Sequence, residues 1–264
     1  MLAREELLSR KHIWLEERRK EGVEGVYKAQ ALALPLPPSL HDAILVPRAP
    51  RAVIPRVDRR SLETLAGGRV DIGDHVRRLT DLGASAVMIS TDNVVYGGGF
   101  EDVLAAAQAS PIPVICCDYV LDTVQVAMAR AHGAAAVMLS AELLDDRALR
   151  TLYRTAADLR LDVMLDVTST RQVEIAERLR NGGSGALVYG ADLLSLAEQD
   201  TRRLLDRLAP AVPDHGIAMA CVDDACPTRI TELESAGYEV FVINGSVNDL
   251  AELERQMNRA TGSA

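Results

Sequence analysis

From Ala52 onward the chain alternates short, nearly unbroken apolar runs with longer segments whose apolar positions recur at helical spacing. The runs are Ala52–Val57, Ser85–Ser90, Ile112–Cys117, Ala134–Leu139, Asp162–Val167, Gly185–Tyr189, Gly216–Cys221 and Glu239–Ile243. They are rich in Val, Ile, Met and Ala and carry little polar alternation, the pattern of parallel strands covered on both faces. Between and after them, Gly73–Leu82, Phe100–Gln108, Leu121–Ala131, Asp146–Leu159, Arg171–Arg180, Ser195–Leu208, Pro227–Ser235 and Val247–Arg259 read as helices. Gly83, Gly133 and Gly237 stand where helix C-terminal caps are needed. Eight strands alternating with eight helices over about 210 residues predict a (β/α)8 TIM barrel. A doubly wound open sheet would carry a GxGxxG or a P-loop after its first strand, and neither is present. Gly97-Gly98-Gly99 lacks that context and reads as a turn capping the next helix.

Before Ala52 the pattern is different. Leu2–Glu21 and Val23–Leu32 read as helices, the first highly charged and holding the only tryptophan, Trp14. LPLPPSLHDAILVPRAP follows. Its prolines break any long helix, but Ser39–Leu45 can form a short one capped by Ser39. Residues 1–50 are therefore expected to be a helical extension packed on a barrel of residues 51–264.

Composition narrows the function classes. The 264 residues suffice for a large core, and the net charge of -9 offers no basic face for nucleic acid. No apolar run reaches the roughly 18 residues of a membrane span, and the charged start MLAREELLSRKH is unlike a signal peptide, so a cytoplasmic location is expected. The four cysteines, Cys116, Cys117, Cys221 and Cys226, show no zinc spacing; reduced thiols and no metal or cofactor are expected. The only lysines, Lys11, Lys20 and Lys28, precede the first strand, so the barrel itself holds no lysine for Schiff-base or acid chemistry. The five histidines, His12, His41, His75, His132 and His215, avoid the predicted C-terminal strand ends and read as surface residues.

Several stretches resemble the indole-3-glycerol phosphate synthase family. VMISTDNVVYGGGFEDV is similar to that family's second strand followed by T-[DE]-x-x-x-[FY]-x-G-[SG]-[FY]-E. PIPVICCDYVLD resembles P-[VI]-L-x-K-D-F-[VI]-x-D, and AAAVMLSAELLDDRALRTL resembles the fourth strand, its A-x-L-x-D-x-x-L loop and the following helix. The N-terminal helix and the APRAVI lead into the first strand are family features as well. The resemblance implies the barrel fold and a lyase of tryptophan biosynthesis that closes an indole ring with loss of CO2 and water.

The family's chemistry does not carry over residue by residue. Where the family's first strand reads [IV]-A-E-[VI]-K-x-x-S-P-S, this chain places Arg56 at the catalytic Glu and Asp58 at the Lys, keeping Ser61 from the loop. The general-acid lysine of the third strand falls on Cys117, with Asp118 retained. The fifth-strand carboxylate survives as Asp166. The Asn and Arg of the sixth strand fall on Tyr189 and Ala191. S-E-S-G of the seventh becomes Ala220-Cys221-Val222-Asp223, and Asn244-Gly245-Ser246 keeps a Gly-Ser pair before the last helix. Ring closure needs a lysine acid and carboxylates that handle protons, so loss of the family's activity is expected.

Strand ends in a barrel converge on one mouth. Arg56, Asp58, Cys117 and Asp166 are the candidate catalytic residues there. Ser61, Asp118, Tyr189, Cys221, Asn244, Gly245 and Ser246 are candidates for binding a small ligand, a phosphate or a carboxylate. Arg56 and Asp58, two apart on a strand, are expected to face the same way and to touch. Cys117 is a nucleophile only if a neighbour lowers its pKa, and Asp166 is the general-base candidate. The last loop could hold phosphate on backbone N–H groups, against the charges of Asp223 and Asp224. Two readings follow: a re-tooled lyase- or cyclase-type enzyme acting on a small metabolite in specialised biosynthesis, or a pseudoenzyme that binds, regulates or joins a protein partner.

Overall fold

The structure, a computed structural model, describes residues 4–180, 187–191, 205–222, 226–243 and 250–262. Its eight strands are β1 (Ala52–Val57), β2 (Val87–Ser90), β3 (Val114–Cys117), β4 (Ala136–Ser140), β5 (Asp162–Val167), β6 (Leu187–Ala191), β7 (Ile217–Val222) and β8 (Val240–Ile243). They pair in chain order, all parallel, and β8 returns to β1, so the sheet closes into the predicted barrel. Helices α1 (Arg4–Glu21), α2 (Glu24–Ala33) and α3 (Leu40–Leu45) precede it. The outer layer comprises α4 (Arg59–Ala66), α5 (Ile72–Asp81), α6 (Phe100–Ala109), α7 (Thr123–Ala131), α8 (Asp146–Asp158), α9 (Thr170–Arg180), α10 (Pro227–Ser235) and α11 (Leu250–Thr261). Of the expected helix Ser195–Leu208, only residues 205–208 lie among the described ones, and they are helical.

Period-two alternation divides each strand's side chains between two cores. Outward residues such as Val53, Val87, Cys116 and Tyr189 join the helices, whereas Ile54, Met88, Ile115, Met138, Met164 and Met219 fill the lumen. Gly83, Gly133 and Gly237 cap helices with positive φ, as expected. Gly99 starts α6, and a Cβ on Gly98 would collide with the Ser90 carbonyl oxygen, so the glycine run is the turn foreseen.

One element was missed. The charged residues after β1 form a helix, not a loop. Asp58 is its N-cap, accepting from Ser61 N at 3.0 Å, and Gly67 at φ 67° ends it. Arg59 reaches from this helix to Asp102 at the start of α6 and to Glu63, which ties α4 to the next unit.

The N-terminal extension engages both ends of the barrel. At the floor, Leu40 and Ile44 of α3 enter the lumen core. The start of α3 is held twice: Ser39 accepts from Asp42 N, and Asp162, the first residue of β5, accepts from Leu40 N at 2.9 Å. Higher on the barrel, Arg19 pairs with Asp122 and Thr123 donates to Glu24, which places α1 and α2 against the start of α7. Buried Arg130 of α7 donates to the Pro35 carbonyl and fixes the proline-rich link.

Candidate functional site

The lumen-facing residues at the C-terminal ends of the first seven strands are Arg56, Ser90, Cys117, Ser140, Asp166, Gly190 and Cys221, each two beyond a residue of the lumen core. Arg56 dominates this layer. Its Nε donates to Ser90 Oγ at 3.0 Å, and its guanidinium carbon lies 4.7 Å from the centre of the Tyr96 ring. Only 9% of Arg56 is exposed. Burial opposes its charge, yet its polar surroundings more than offset this and hold its pKa above the ordinary arginine value. A guanidinium flat on an aromatic ring gains cation–π attraction that grows as water is excluded.

Cys117 is fully buried, with Sγ 3.9 Å from Met138 Sδ. Burial pushes its thiol up despite the opposing pull of Arg56, so the lowered pKa that the nucleophile reading calls for is not what its surroundings favour. Asp166, 1% exposed, faces the lumen and lies close enough to Cys117 to raise it further. Cys221 is half-buried at the edge of the lumen core. Tyr119, after β3, packs against Tyr96 near Arg56; burial, reinforced by Tyr96, pushes its phenol up. Tyr96 thus covers the arginine, with Tyr119 against Tyr96.

Other expected site residues stand elsewhere. Asp58 caps α4 instead of pairing with Arg56, because β1 ends at Val57 and the helix start claims the carboxylate. Ser61 supplies its backbone N–H to that cap. Tyr189 is fully buried but faces outward, donating its hydroxyl to Glu177 of α9; Gly190 is the sixth strand's lumen residue. Asn244, Gly245, Ser246, Asp223 and Asp224 lie outside the described residues. His75 is buried in α5, not on the surface; burial and then Arg78 lower its pKa to about 4. Among the described residues no group of three His, Cys, Asp or Glu side chains could hold a metal ion.

Asp118 faces the rim, and here sequence reasoning missed a residue. Lys11 of α1 places Nζ 2.7 Å from Asp92 Oδ2 and 2.8 Å from Asp118 Oδ1, with all three side chains buried. Burial works against the ammonium, but Asp118 and Asp92 more than offset it and raise its pKa. The barrel therefore does have a lysine at its rim, delivered by the extension. The signal was available: Lys11 sits midway between buried Leu7 and Leu15, at helical spacing on one face.

A closed parallel barrel with a polar layer at its C-terminal strand ends is the architecture of a (β/α)8 barrel protein with its site at the mouth. The family profile described as indole-3-glycerol phosphate synthase matches residues 4–256, and the chain belongs to that family. Indole-3-glycerol phosphate synthase of Parafrankia sp. is 30% identical over 248 residues, 92% of this chain and 89% of that protein. The protein of the same name from Exiguobacterium sibiricum is 32% identical over 171 residues, 63% of this chain and 65% of that protein, just under two thirds of its length. Among solved structures, thiamine phosphate pyrophosphorylase from Pyrococcus furiosus superposes with TM-score 0.59 at 17% identity, covering 81% of this chain and 96% of that one. Tryptophan synthase from M. tuberculosis does so with TM-score 0.59 at 11% identity, covering 84% and 96%; both show the shared fold alone. Among the described residues no helix is long and apolar enough to cross a membrane.

Proposed function

We propose that this chain no longer carries out the family's ring closure and serves as a ligand-binding, regulatory or complex-forming barrel. The observation that carries this reading is Arg56: it stands where the family's catalytic carboxylate belongs, buried beneath Tyr96. Ring closure needs a proton donor at the carbonyl and a carboxylate facing it. Cys117 at the lysine position has a suppressed, buried thiol, and Asp58 at the other lysine position is committed to a helix cap. Lys11 does not substitute, since both of its carboxylate partners are rim residues. A ligand reaching the layer would meet Arg56, which suits a phosphate or a carboxylate.

A re-tooled lyase- or cyclase-type enzyme is the second reading. It is favoured by Asp166, a carboxylate kept inside the lumen layer beside Cys117. One experiment separates the two from the family's own activity. Purified protein is given the family's substrate and indole-3-glycerol phosphate formation is followed, with the Parafrankia relative run in parallel. No product is expected; turnover comparable to that of the relative sinks the reading. A thermal-shift series with inorganic phosphate, sugar phosphates and small carboxylates then looks for the ligand, since binding to the native state alone raises Tm. A saturable shift lost in Arg56→Met supports binding at the mouth.

A further inference from the structure

We propose that Lys11 is a positioning residue that latches the mouth, fixing through Asp92 and Asp118 the two loops that lay Tyr96 over Arg56 and Tyr119 against Tyr96. The inference rests on the covered-mouth reading above and assigns its control to the N-terminal extension.

Each carboxylate holds both Lys11 and a tyrosine's loop. Asp92 takes Lys11 on Oδ2, while its Oδ1 accepts from Val94 N at 3.0 Å and Val95 N at 2.8 Å, and its carbonyl accepts from Tyr96 N at 2.9 Å. The turn that ends in Tyr96 is therefore wound around Asp92. Asp118 takes Lys11 on Oδ1, which also accepts from Tyr119 N at 2.7 Å. Gln125 completes that loop, donating to Asp118 Oδ2 at 3.4 Å and to the Tyr119 carbonyl at 3.0 Å.

Two carboxylates gathered at one buried point repel each other unless a cation stands between them. Lys11 is that cation, and it comes from an element outside the barrel, 107 residues from Asp118 in sequence. Withdrawal of α1 removes it, the two loops part, and Tyr96, parted from Tyr119, loses its fixed seat over the arginine. A second tie, Arg60 N to the Tyr96 carbonyl at 2.9 Å, comes from α4 and does not involve Asp118 or Tyr119. The latch thus acts on the pair of tyrosines, not on Tyr96 alone.

Adjacent cysteines supply the readout. Cys117 faces the lumen in the same layer as Arg56, whereas Cys116 faces the helix layer beside Thr91. Opening of the mouth exposes the first and not the second; general loosening exposes both. The full-length chain is treated with N-ethylmaleimide and the two sites are separated by fragmentation mass spectrometry. Both thiols should be protected in the unaltered chain. In Lys11→Met and in Tyr96→Ala the Cys117 rate should rise about tenfold or more relative to Cys116, and Lys11→Arg, which keeps the charge, should restore protection. An unchanged Cys117 rate in Lys11→Met, or a parallel rise at both cysteines, overturns the latch. If Lys11→Met does not fold, Asp92→Asn carries the same test, because it spares the Lys11–Asp118 pair. Labelling is independent of turnover, so product formation from the family's substrate would sink the functional reading while the thiol rates alone decide the latch.

Discussion

The described residues at the two ends of this barrel are of opposite character. At the floor, Leu40 and Ile44 of α3 fill the lumen with hydrocarbon, and the Asp162 carboxylate is occupied by helix-start amides. At the mouth, a guanidinium, two phenols, two thiols and a carboxylate crowd the same lumen, and a lysine from outside holds the covering loops. The difference teaches where a scaffold keeps its stability and where it is free to change. Apolar closure is worth the area it removes from water and has no chemistry to lose. Polar closure depends on each partner being present, so single substitutions there redirect function without undoing the fold.

That contrast can be tested by size of effect. Leu40→Ala, at a fully buried site, should cost about 2–5 kcal/mol in denaturant unfolding and leave Cys117 labelling slow relative to Cys116. Loss of mouth protection in this variant would break the separation of the two ends. Acid sharpens it next. His75 is held neutral in the fold, with a pKa near 4 against about 6.5 when unfolded. Its depressed value means that the stability it contributes is complete above pH 6.5 and is lost as pH falls through 4. The total is on the order of 3 kcal/mol. His75→Gln should flatten that limb in urea titrations between pH 7 and 4; a limb abolished instead by Asp166→Asn would make the mouth the acid-sensitive end.

Smaller effects test individual placements. Asp58→Ala should cost about 1 kcal/mol, the usual worth of an N-cap, with no change in ligand-induced Tm shift. A lost shift with unchanged stability would return Asp58 to the site. Tyr189→Phe should cost about 0.5–1.5 kcal/mol for the bond to Glu177 and likewise spare ligand binding. At high pH the sign is opposite to that of His75. Lys11 has a raised folded pKa, so its contribution is intact below about 10.5 and declines as pH rises through the folded value. Lys11→Arg should move that decline upward.

These placements also mark how far the sequence could be read. The strands were legible because doubly covered strands are continuously apolar, and β1 and β5 fall on the residues expected. Arg56, Cys117 and Asp166 were assigned to the mouth by matching family positions, and alternation along the strands does turn them to the lumen. Tyr189 was assigned to the lumen by counting family positions through the sixth strand, and with a period of two an error of one residue reverses the face. Asp58 was misplaced because its spacing to Ser61 was taken as strand and loop, although an aspartate three residues before a serine N–H is a helix start. Lys11 could not be assigned its partners from local pattern. Its place on an apolar face signals burial, but Asp92 and Asp118 come near only when the barrel closes.

The floor helix also dictates an order of events during synthesis. The amide of Leu40 finds its acceptor on Asp162, 122 residues later, and the lumen it seals does not exist until the strands have curled together. A ribosome makes α3 before any strand of the barrel, yet its docking must wait for β5 to emerge. Such a long-range contact carries its loop-closure cost before any reward. Until then the apolar face of α3 and the exposed leucines around it, Leu32, Leu36 and Leu45, travel uncovered together, which makes this stretch chaperone-seeking surface.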